Sequence, residues 1–283
     1  MSWRAYKILS FGAGMLSTAL ALLACEAAIW GHNIYPVVPI YDAVIFCDLG
    51  GEPPWVYTQV EFVRAACRRA GIPFYVLDTN MHGEFTQKFG RVNTTTLPWC
   101  TLDENGSIGR MKRHCTYDYK VKMIYMFVKC EMLGYRKGEH ISTFDKGLHE
   151  MHIGYGAEEQ RRMKPSRHPL FKNVYPLVEM GWTRKECYAY NLEVWGLDTK
   201  ASACVYCPYH RNCFYPYLYH NHRPSFDMVA DMDALLEREQ PNSLIRNKLY
   251  LSRSCKRVWE LTPGDCMDAK YFEYGGKLLW DTF

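Results

Sequence analysis

The sequence lacks an apolar run long enough to cross a lipid bilayer. Its longest run, around residues 19–24, is interrupted by Cys25 and Glu26 and is far shorter than the roughly 20 residues that a spanning helix needs. The first residues lack the apolar core and small-residue cleavage site of a secretory signal peptide. Low-complexity segments and internal repeats are also absent. We therefore expect a cytoplasmic protein without a membrane partner.

A strong charge bias is missing as well. The 34 basic and 30 acidic residues leave a formal charge of +4, which permits a nucleotide or nucleic-acid partner without requiring one. A hydrophobic content of 48% with 23% charged residues excludes intrinsic disorder, collagen and coiled coil. In a reducing compartment, the twelve cysteines indicate metal or redox chemistry in preference to a disulfide framework.

Strand-like and helix-like segments alternate in the first third of the chain. Apolar runs near residues 8–9, 43–47 and 73–77 each end in turn residues, and helical periodicity follows the first two. This alternation predicts an α/β fold with a doubly wound, mostly parallel sheet, in which ligands bind at the carboxyl ends of the strands.

The rest of the chain is less regular. We expect a functional lid over residues 80–115, a strand over 140–144 and a helix capped by Thr183 with Glu186 three residues later. Helical patterns at 224–238 and 242–250 predict a small helical carboxyl-terminal extension. The expected domains are therefore 1–215, which includes a cysteine-rich loop, and 216–283.

The first strand runs into a turn that contains two glycines and several hydroxyl side chains. A turn between a strand and a helix offers free N–H groups and the amino end of a helix to a phosphate. The turn lacks the Gly-Lys-Ser/Thr of a Walker A loop and the full dinucleotide fingerprint. A tight turn built from small residues is the alternative. The candidate phosphate ligands are Ser10, Gly12, Gly14, Ser17 and Thr18.

Carboxylates and arginines supply further candidates. Asp48 and Glu52 follow the second strand and are candidate ligands of Mg²⁺ or of a nucleotide, although Asp48 could instead only close a turn. Basic residues cluster at 110–114 and at 161–172, in segments suited to an anion or to a solvated surface.

Three cysteines are spaced CxxCx5C in a ten-residue loop. Together with one thiol from elsewhere, such a loop provides a four-cysteine shell for an iron–sulfur cluster or a structural zinc. Neighbouring aromatic residues favour the cluster, because they exclude water. Three buried free thiols are the alternative. The candidate ligands are Cys115, Cys204, Cys207 and Cys213.

Five segments in this order resemble the PAPS reductase-like branch of the PP-loop ATP pyrophosphatases, also called adenine nucleotide alpha hydrolases. They are the turn at 10–18, the strand end at 46–54, Gly-Tyr-Gly-Ala-Glu-Glu-Gln-Arg-Arg at 154–162, the helix region at 175–187 and the cysteine loop at 202–209. Many relatives carry an aspartate where this chain has Leu16, so Asp48 would take a larger share of metal binding.

The resemblance implies an enzyme that binds ATP with Mg²⁺. A substrate oxygen attacks the α-phosphorus, pyrophosphate leaves, and the adenylated substrate is open to a sulfur nucleophile. Arg161 or Arg162 would stabilise the leaving phosphate, and the cysteines would hold a cluster, 4Fe–4S in preference to zinc. DNA phosphorothioation enzymes of the DndC or SspD type group their cysteines similarly. The implied partners are therefore a nucleic acid, DNA in preference to RNA, and a cysteine desulfurase or another sulfur-donor protein.

Two other readings stay open. An adenylyl or phosphoadenylyl sulfate reductase would share the fold, but those enzymes carry a catalytic cysteine in a Glu-Cys-Gly-x-His tail, and the sequence around Cys266 does not match it. A nucleotide-binding regulator without catalytic activity is the third reading, and Leu16 is the residue that favours it.

Overall fold

The computed structural model describes residues 4–88, 97–240, 245–266, 273–274 and 277–278. The chain divides into two compact units, each assembled from separate stretches. The first unit comprises Met1–Cys47, Trp55–Leu77 and Val121–Ser202, and the second unit comprises Asp48–Pro54, Asp78–Lys120 and Ala203–Phe283. The units interleave along the chain, and the domain boundary expected at residue 215 stays a prediction.

The secondary structure alternates between strands and helices over the first third. The strands are β1 Lys7–Phe11, β2 Ala43–Asp48, β3 Phe74–Asp78, β4 Cys100–Leu102, β5 Ile108–Arg110, β6 His149–Ile153, β7 Phe171–Val174, β8 Lys248–Tyr250, β9 Glu273–Tyr274 and β10 Lys277–Leu278. The helices are α1 Met15–Trp30, α2 Pro54–Ala70, α3 Met81–Lys88, α4 Lys122–Phe127, α5 Pro176–Glu179, α6 Arg184–Glu193, α7 Phe214–Asn221 and α8 Arg223–Glu239. Wider π-helical turns flank α4 on both sides, and a 3-10 turn spans Ala157–Arg162.

A five-stranded sheet in the order β3-β2-β1-β6-β7 forms the centre of the α/β fold. The pairs β1–β2, β1–β6 and β6–β7 are all parallel, so the prediction of a mostly parallel sheet is confirmed. From β1 the chain adds β2 and then β3 on one side of β1, and it later adds β6 on the other side of β1. The order therefore reverses between β1 and β6, the position at which sheets of this kind bind ligands beyond their carboxyl ends.

The core of the first unit follows from its apolar strands and from α1. Ile8 and Leu9 of β1 have no exposed surface, and twelve of the sixteen residues of α1 are buried. A helix this apolar on all sides is stable only inside a protein. The α6 helix begins with the expected capping box, in which Thr183 and Glu186 each bond the other's backbone N–H.

Two expectations about local structure are wrong. Residues 140–144 form a loop instead of a strand, with the Ser142 N–H bonded to the Tyr135 hydroxyl. The strand lies at β6, where buried histidines conceal it from a hydropathy pattern. The end of the segment 242–250 is the strand β8, because its apolar residues pair with β4. The segment 80–115 contains α3 and the β4–β5 hairpin, and its function as a lid stays a prediction.

The second unit contains α3, α7, α8 and a three-stranded antiparallel sheet in the order β5-β4-β8. Its interior includes a buried ion pair, in which Arg257 Nη1 lies 2.8 Å from Asp233 Oδ1. The helical extension that the sequence predicts thus includes one strand of this sheet. Within the described ranges, the helices are all too short or too polar to cross a membrane.

Acidification is expected to destabilise the first unit through His152 of β6. This side chain is 2% exposed, and burial lowers its pKa against the opposing effect of the Glu150 carboxylate. The unfolded chain therefore binds more protons than the folded chain as the pH falls from about 6.5 towards the lower folded value. Urea unfolding at a series of pH values should show stability lost over that window. The variant His152→Gln should flatten the slope, and an unchanged slope would contradict this assignment.

Candidate functional site

The turn between β1 and α1 is closed by Ser17. The Ser17 Oγ accepts a hydrogen bond from the Gly12 N–H at 3.2 Å and donates one to the Gly14 carbonyl at 3.1 Å. Ala13 between the two glycines has a φ of 52°, a left-handed conformation that a residue with a side chain rarely adopts. The sequence therefore folds a tight loop whose strained residue is Ala13.

A buried glutamine from α2 holds this strained residue. The Gln59 Nε2 donates a hydrogen bond to the Ala13 carbonyl at 2.5 Å, and the Gln59 Oε1 accepts one from the Lys200 N–H at 2.5 Å. Asn191, which has no exposed surface, similarly donates to the Met15 carbonyl at 3.0 Å. Sequence reasoning missed both amides, because a single polar residue in a helix carries no sign of a partner so far away along the chain.

The amino end of α1 carries no group that would repel an anion. Its first turn contains no acidic residue, and its N-cap residue, Gly14, makes no side-chain cap. Leu16, in this first turn, is buried. A helix amino end without a carboxylate keeps its free N–H groups and its partial positive charge. The Thr18 Oγ1 is fully buried and has no hydrogen-bond partner among the described residues.

The segment that follows β6 packs against this helix end. A Cβ atom built on Gly154 would lie 2.8 Å from the Ser17 backbone nitrogen, closer than real Cβ contacts. Only glycine therefore fits at this position. The same test on Gly14 places a Cβ 2.7 Å from the Ser202 Oγ, whereas Gly12 has room. The ends of β1 and β6 thus meet at the switch point that the topology predicts.

The two candidate arginines after β6 differ in their surroundings. Arg162 forms an ion pair with Glu159 and lies 4.4 Å from the centre of the Tyr155 ring. Glu159 is buried and also pairs with Arg184 at 2.9 Å. Arg161 is exposed and makes no ion pair within the described ranges. Arg162 is thus held by protein contacts, and Arg161 is the candidate that is available to a phosphate.

The two candidate carboxylates belong to the second unit. The Asp48 Oδ1 accepts a hydrogen bond from the Gly50 N–H at 2.8 Å, as the turn alternative predicts. Glu52 is 5% exposed and its Oε1 lies 3.5 Å from Lys120 Nζ, while its Oε2 has no partner among the described residues. Burial raises the pKa of Glu52, the nearby Lys120 opposes this shift, and Asp48 adds to it.

Glu52 lies beside the cysteine loop of the same unit. The Val205 N–H donates to the Gly51 carbonyl at 2.8 Å, and a Cβ on Gly51 would lie 2.4 Å from the Tyr206 ring. Tyr206 in turn forms a 2.6 Å hydrogen bond with His82 Nδ1. These contacts hold the two segments together. The two segments are about 150 residues apart in the sequence. Nothing in the sequence around Lys120 indicates that it pairs with Glu52.

The cysteine loop is buried and its thiols influence one another. Burial raises the pKa of Cys204, and Cys207, Glu52 and Cys115 raise it further. Burial also raises the pKa of Cys207, which Arg113 lowers and Cys115 raises. These interactions bring Cys115, Cys204 and Cys207 into one neighbourhood. Cys213 is buried at the start of α7.

The thiol chemistry fits a soft metal or an iron–sulfur cluster. Three thiols from two segments are neighbours, and sulfur is the ligand that such centres prefer. In the ranges that the structure describes, no three His, Cys, Asp or Glu side chains are arranged closely enough to hold a metal ion as they stand. Binding would therefore require the thiols to draw together and lose their protons.

The fold and these residues define an α/β protein with a candidate phosphate loop in one unit and a group of buried thiols in the other. The sequence matches no protein-family model and no curated protein. Among solved structures it is similar to the U34-tRNA thiolase NcsA from Methanococcus maripaludis with its [4Fe-4S] cluster. The identity is 16%, the match covers 83% of this chain and 72% of that chain, and the TM-score is 0.37. A TM-score this low leaves the functional argument to the residues themselves.

Proposed function

We propose that this protein is an ATP pyrophosphatase that activates a nucleic acid by adenylation so that sulfur can be incorporated, with DNA as the favoured acceptor. The observation that carries the proposal is the uncapped amino end of α1 at the switch point of the sheet, against which Gly154 packs. Backbone N–H groups at such a position bind phosphate.

The loop residues supply positioning and charge stabilisation. An acceptor oxygen attacks the α-phosphorus of ATP, the bond to the β-phosphate breaks, and pyrophosphate leaves. The negative charge that develops is stabilised by the N–H groups of α1, by Ser10, Ser17 and Thr18, and by Arg161. Asp48 and Glu52 are the proposed ligands of Mg²⁺. Leu16 does not weaken this scheme, because removal of an acid from the helix end favours an anion there.

We assign the sulfur-transfer step of the reaction to the four candidate cysteines. Cys115, Cys204, Cys207 and Cys213 are the proposed ligands of an iron–sulfur cluster, with zinc as the alternative. A cluster bound there would provide a protected place for sulfur delivered by a cysteine desulfurase or another donor protein. The sulfur nucleophile then attacks the adenylated acceptor, and AMP leaves.

DNA is favoured over RNA because the cysteines are grouped like those of the DNA phosphorothioation enzymes that the sequence resembles. The reductase alternative needs a nucleophilic cysteine in a Glu-Cys-Gly-x-His motif, and the sequence around Cys266 does not match that motif. The regulator alternative predicts nucleotide binding without turnover. All three readings share the phosphate loop, so the products of the reaction distinguish them.

The test measures products formed from ATP by the anaerobically purified protein with Mg²⁺, a sulfide donor and either DNA or transfer RNA. We expect pyrophosphate and AMP in amounts equal to the sulfur found in the nucleic acid by mass spectrometry. Sulfite released from an adenylyl sulfate would establish the reductase. ATP binding without pyrophosphate release would establish the regulator.

The variant Ser17→Ala should weaken ATP binding by up to about thirtyfold, because it removes two hydrogen bonds that shape the loop, each of which contributes about 1 kcal/mol. Ser166→Ala is a matched control, since the Ser166 Oγ likewise accepts from one backbone N–H and donates to one carbonyl, both of His168. Isothermal titration calorimetry should show weaker binding for Ser17→Ala alone. Equal affinities for the two variants would remove Ser17 from the phosphate cradle.

A further inference from the structure

The β4–β5 hairpin and the cysteine loop present a group of arginines around one exposed tyrosine. Tyr209 is 43% exposed. The Arg110 guanidinium lies 4.6 Å from the centre of its ring and that of Arg113 lies 5.8 Å from it. Arg253 donates a hydrogen bond to the Tyr209 carbonyl. These four residues are called the arginine–tyrosine cluster below.

The topology of the small sheet explains how the cluster forms. Strand β4 pairs with both of its neighbours in antiparallel fashion, and Cys100 is opposite Arg110 on one side and opposite Tyr250 on the other. The strands β5 and β8 therefore end at the same edge of the sheet, and Arg253 follows β8 by three residues. The hairpin is closed by the Asp103 carboxylate, which accepts from two backbone N–H groups of its own turn.

The positive charges of the cluster are not balanced by carboxylates. Arg110, Arg113 and Arg253 form no ion pair within the part of the chain that the structure describes. Arg110 and Arg113 are exposed, and Lys112 adds a further exposed charge between them. Guanidinium groups held against an aromatic ring lose less side-chain freedom when they bind. Two such groups, with Arg253 at the same edge, make a surface for several phosphates, since arginine matches the geometry of phosphate oxygens.

The arginine–tyrosine cluster also lies beside the cysteines of the proposed metal site. Arg113 interacts with Cys115, Cys207 and Cys204 as well as with the Tyr209 ring. An acceptor strand bound along the arginines would therefore lie beside the cysteines that the proposed function uses. A second arginine–tyrosine pair in the same unit differs in that its charge is balanced. Arg223 lies 4.6 Å from the centre of the Tyr219 ring, but it is neutralised by Asp227 at 2.7 Å.

We propose that the arginine–tyrosine cluster binds the phosphodiester backbone of the acceptor nucleic acid, a role that rests on the proposed function and names the docking surface of its acceptor. Binding is independent of base sequence, because phosphate contacts carry no sequence information. Each arginine that contacts a phosphate displaces bound counterions, so affinity falls as salt rises.

The experiment measures fluorescence anisotropy of a labelled 20-nucleotide single-stranded DNA, its duplex and the matching RNA with the full-length protein over a range of salt concentrations. The variants Arg110→Gln and Arg113→Gln should each weaken binding by about tenfold. Each should also reduce the slope of log affinity against log salt by roughly 0.7–0.9, for two unrelated base sequences alike. The matched control Arg223→Gln should bind as the wild type does.

Wild-type affinity and slope in the double variant Arg110→Gln/Arg113→Gln would overturn the proposal, as would an equal loss in Arg223→Gln. Thermal stabilisation by ATP, measured on the wild-type protein, tests the proposed function independently of the docking surface. Stabilisation by ATP with no effect of the arginine variants removes the docking surface alone. Arginine-dependent nucleic-acid binding without stabilisation by ATP removes the proposed function and leaves the surface in place.

Discussion

The variant Gly154→Ala is expected to abolish most of the affinity for ATP while the protein stays folded. The added methyl group would lie 2.8 Å from the Ser17 backbone nitrogen and 3.0 Å from the Ser17 Cα, and backbone atoms cannot rotate away as a side chain can. The amino end of α1 must shift to accommodate it. Overpacking of this kind costs about 1–3 kcal/mol, which corresponds to a roughly tenfold to hundredfold loss of affinity when the displaced atoms are the ligands.

Two other glycines provide the controls for this variant. Gly12→Ala places its Cβ 3.9 Å from the Ser17 Oγ, so the free energy of unfolding should not change, whereas ATP binding should weaken if phosphate lies against Gly12. Gly264→Ala meets only an ordinary contact with Thr262 and should affect neither property. Calorimetric titration with ATP and urea unfolding measure both. Wild-type ATP affinity in Gly154→Ala would show that the nucleotide does not use this helix end.

The variant Cys207→Ser is expected to abolish the bound metal of the anaerobically purified protein. Cys207 is buried beside Cys115 and Cys204, and a serine hydroxyl is a poor ligand for iron or zinc because it does not lose its proton easily. Elemental analysis for iron and zinc, together with the visible absorbance of an iron–sulfur cluster, gives the result without any assay of activity.

Cys130→Ser is the control for metal binding, since Cys130 is half-buried and lies in the first unit. It should keep the full metal content. Iron with sulfide-dependent absorbance in the wild type would establish the cluster, and zinc without that absorbance would establish the alternative. Full metal content in Cys207→Ser would remove this thiol from the ligand set.

The parallel sheet could be predicted because its first three strands are strongly apolar and each is followed by turn residues. The capping box at Thr183 could be predicted because its two partners are three residues apart. By contrast, β6 contains His149 and His152, both buried, and a polar strand gives no hydropathy signal. Burial of those histidines depends on neighbours such as Tyr41, whose ring centre lies 5.1 Å from that of His152.

The loop residues of the candidate site could be predicted from their local pattern, but the side chains that hold the loop in place could not. Ser17 was recognisable because it follows a strand and opens a helix. Gln59 and Asn191 act on the loop from distant helices, and only the tertiary fold brings them there. The same holds for Lys120, which reaches Glu52 across 68 residues of sequence. The ion pair of Arg162 with Glu159 likewise distinguishes Arg162 from Arg161. The sequence alone gives no basis for this distinction.

The measurement that tests the central claim most directly compares thermal stabilisation of the anaerobically purified protein by ATP with Mg²⁺ and by 3′-phosphoadenylyl sulfate. A ligand that binds only the folded state stabilises it by about 2.7 kcal/mol at a hundred times its Kd. We predict a rise in Tm with ATP and Mg²⁺ that is lost in Gly154→Ala, and none with the sulfonucleotide. A rise with the sulfonucleotide alone would contradict the ATP pyrophosphatase and favour the reductase.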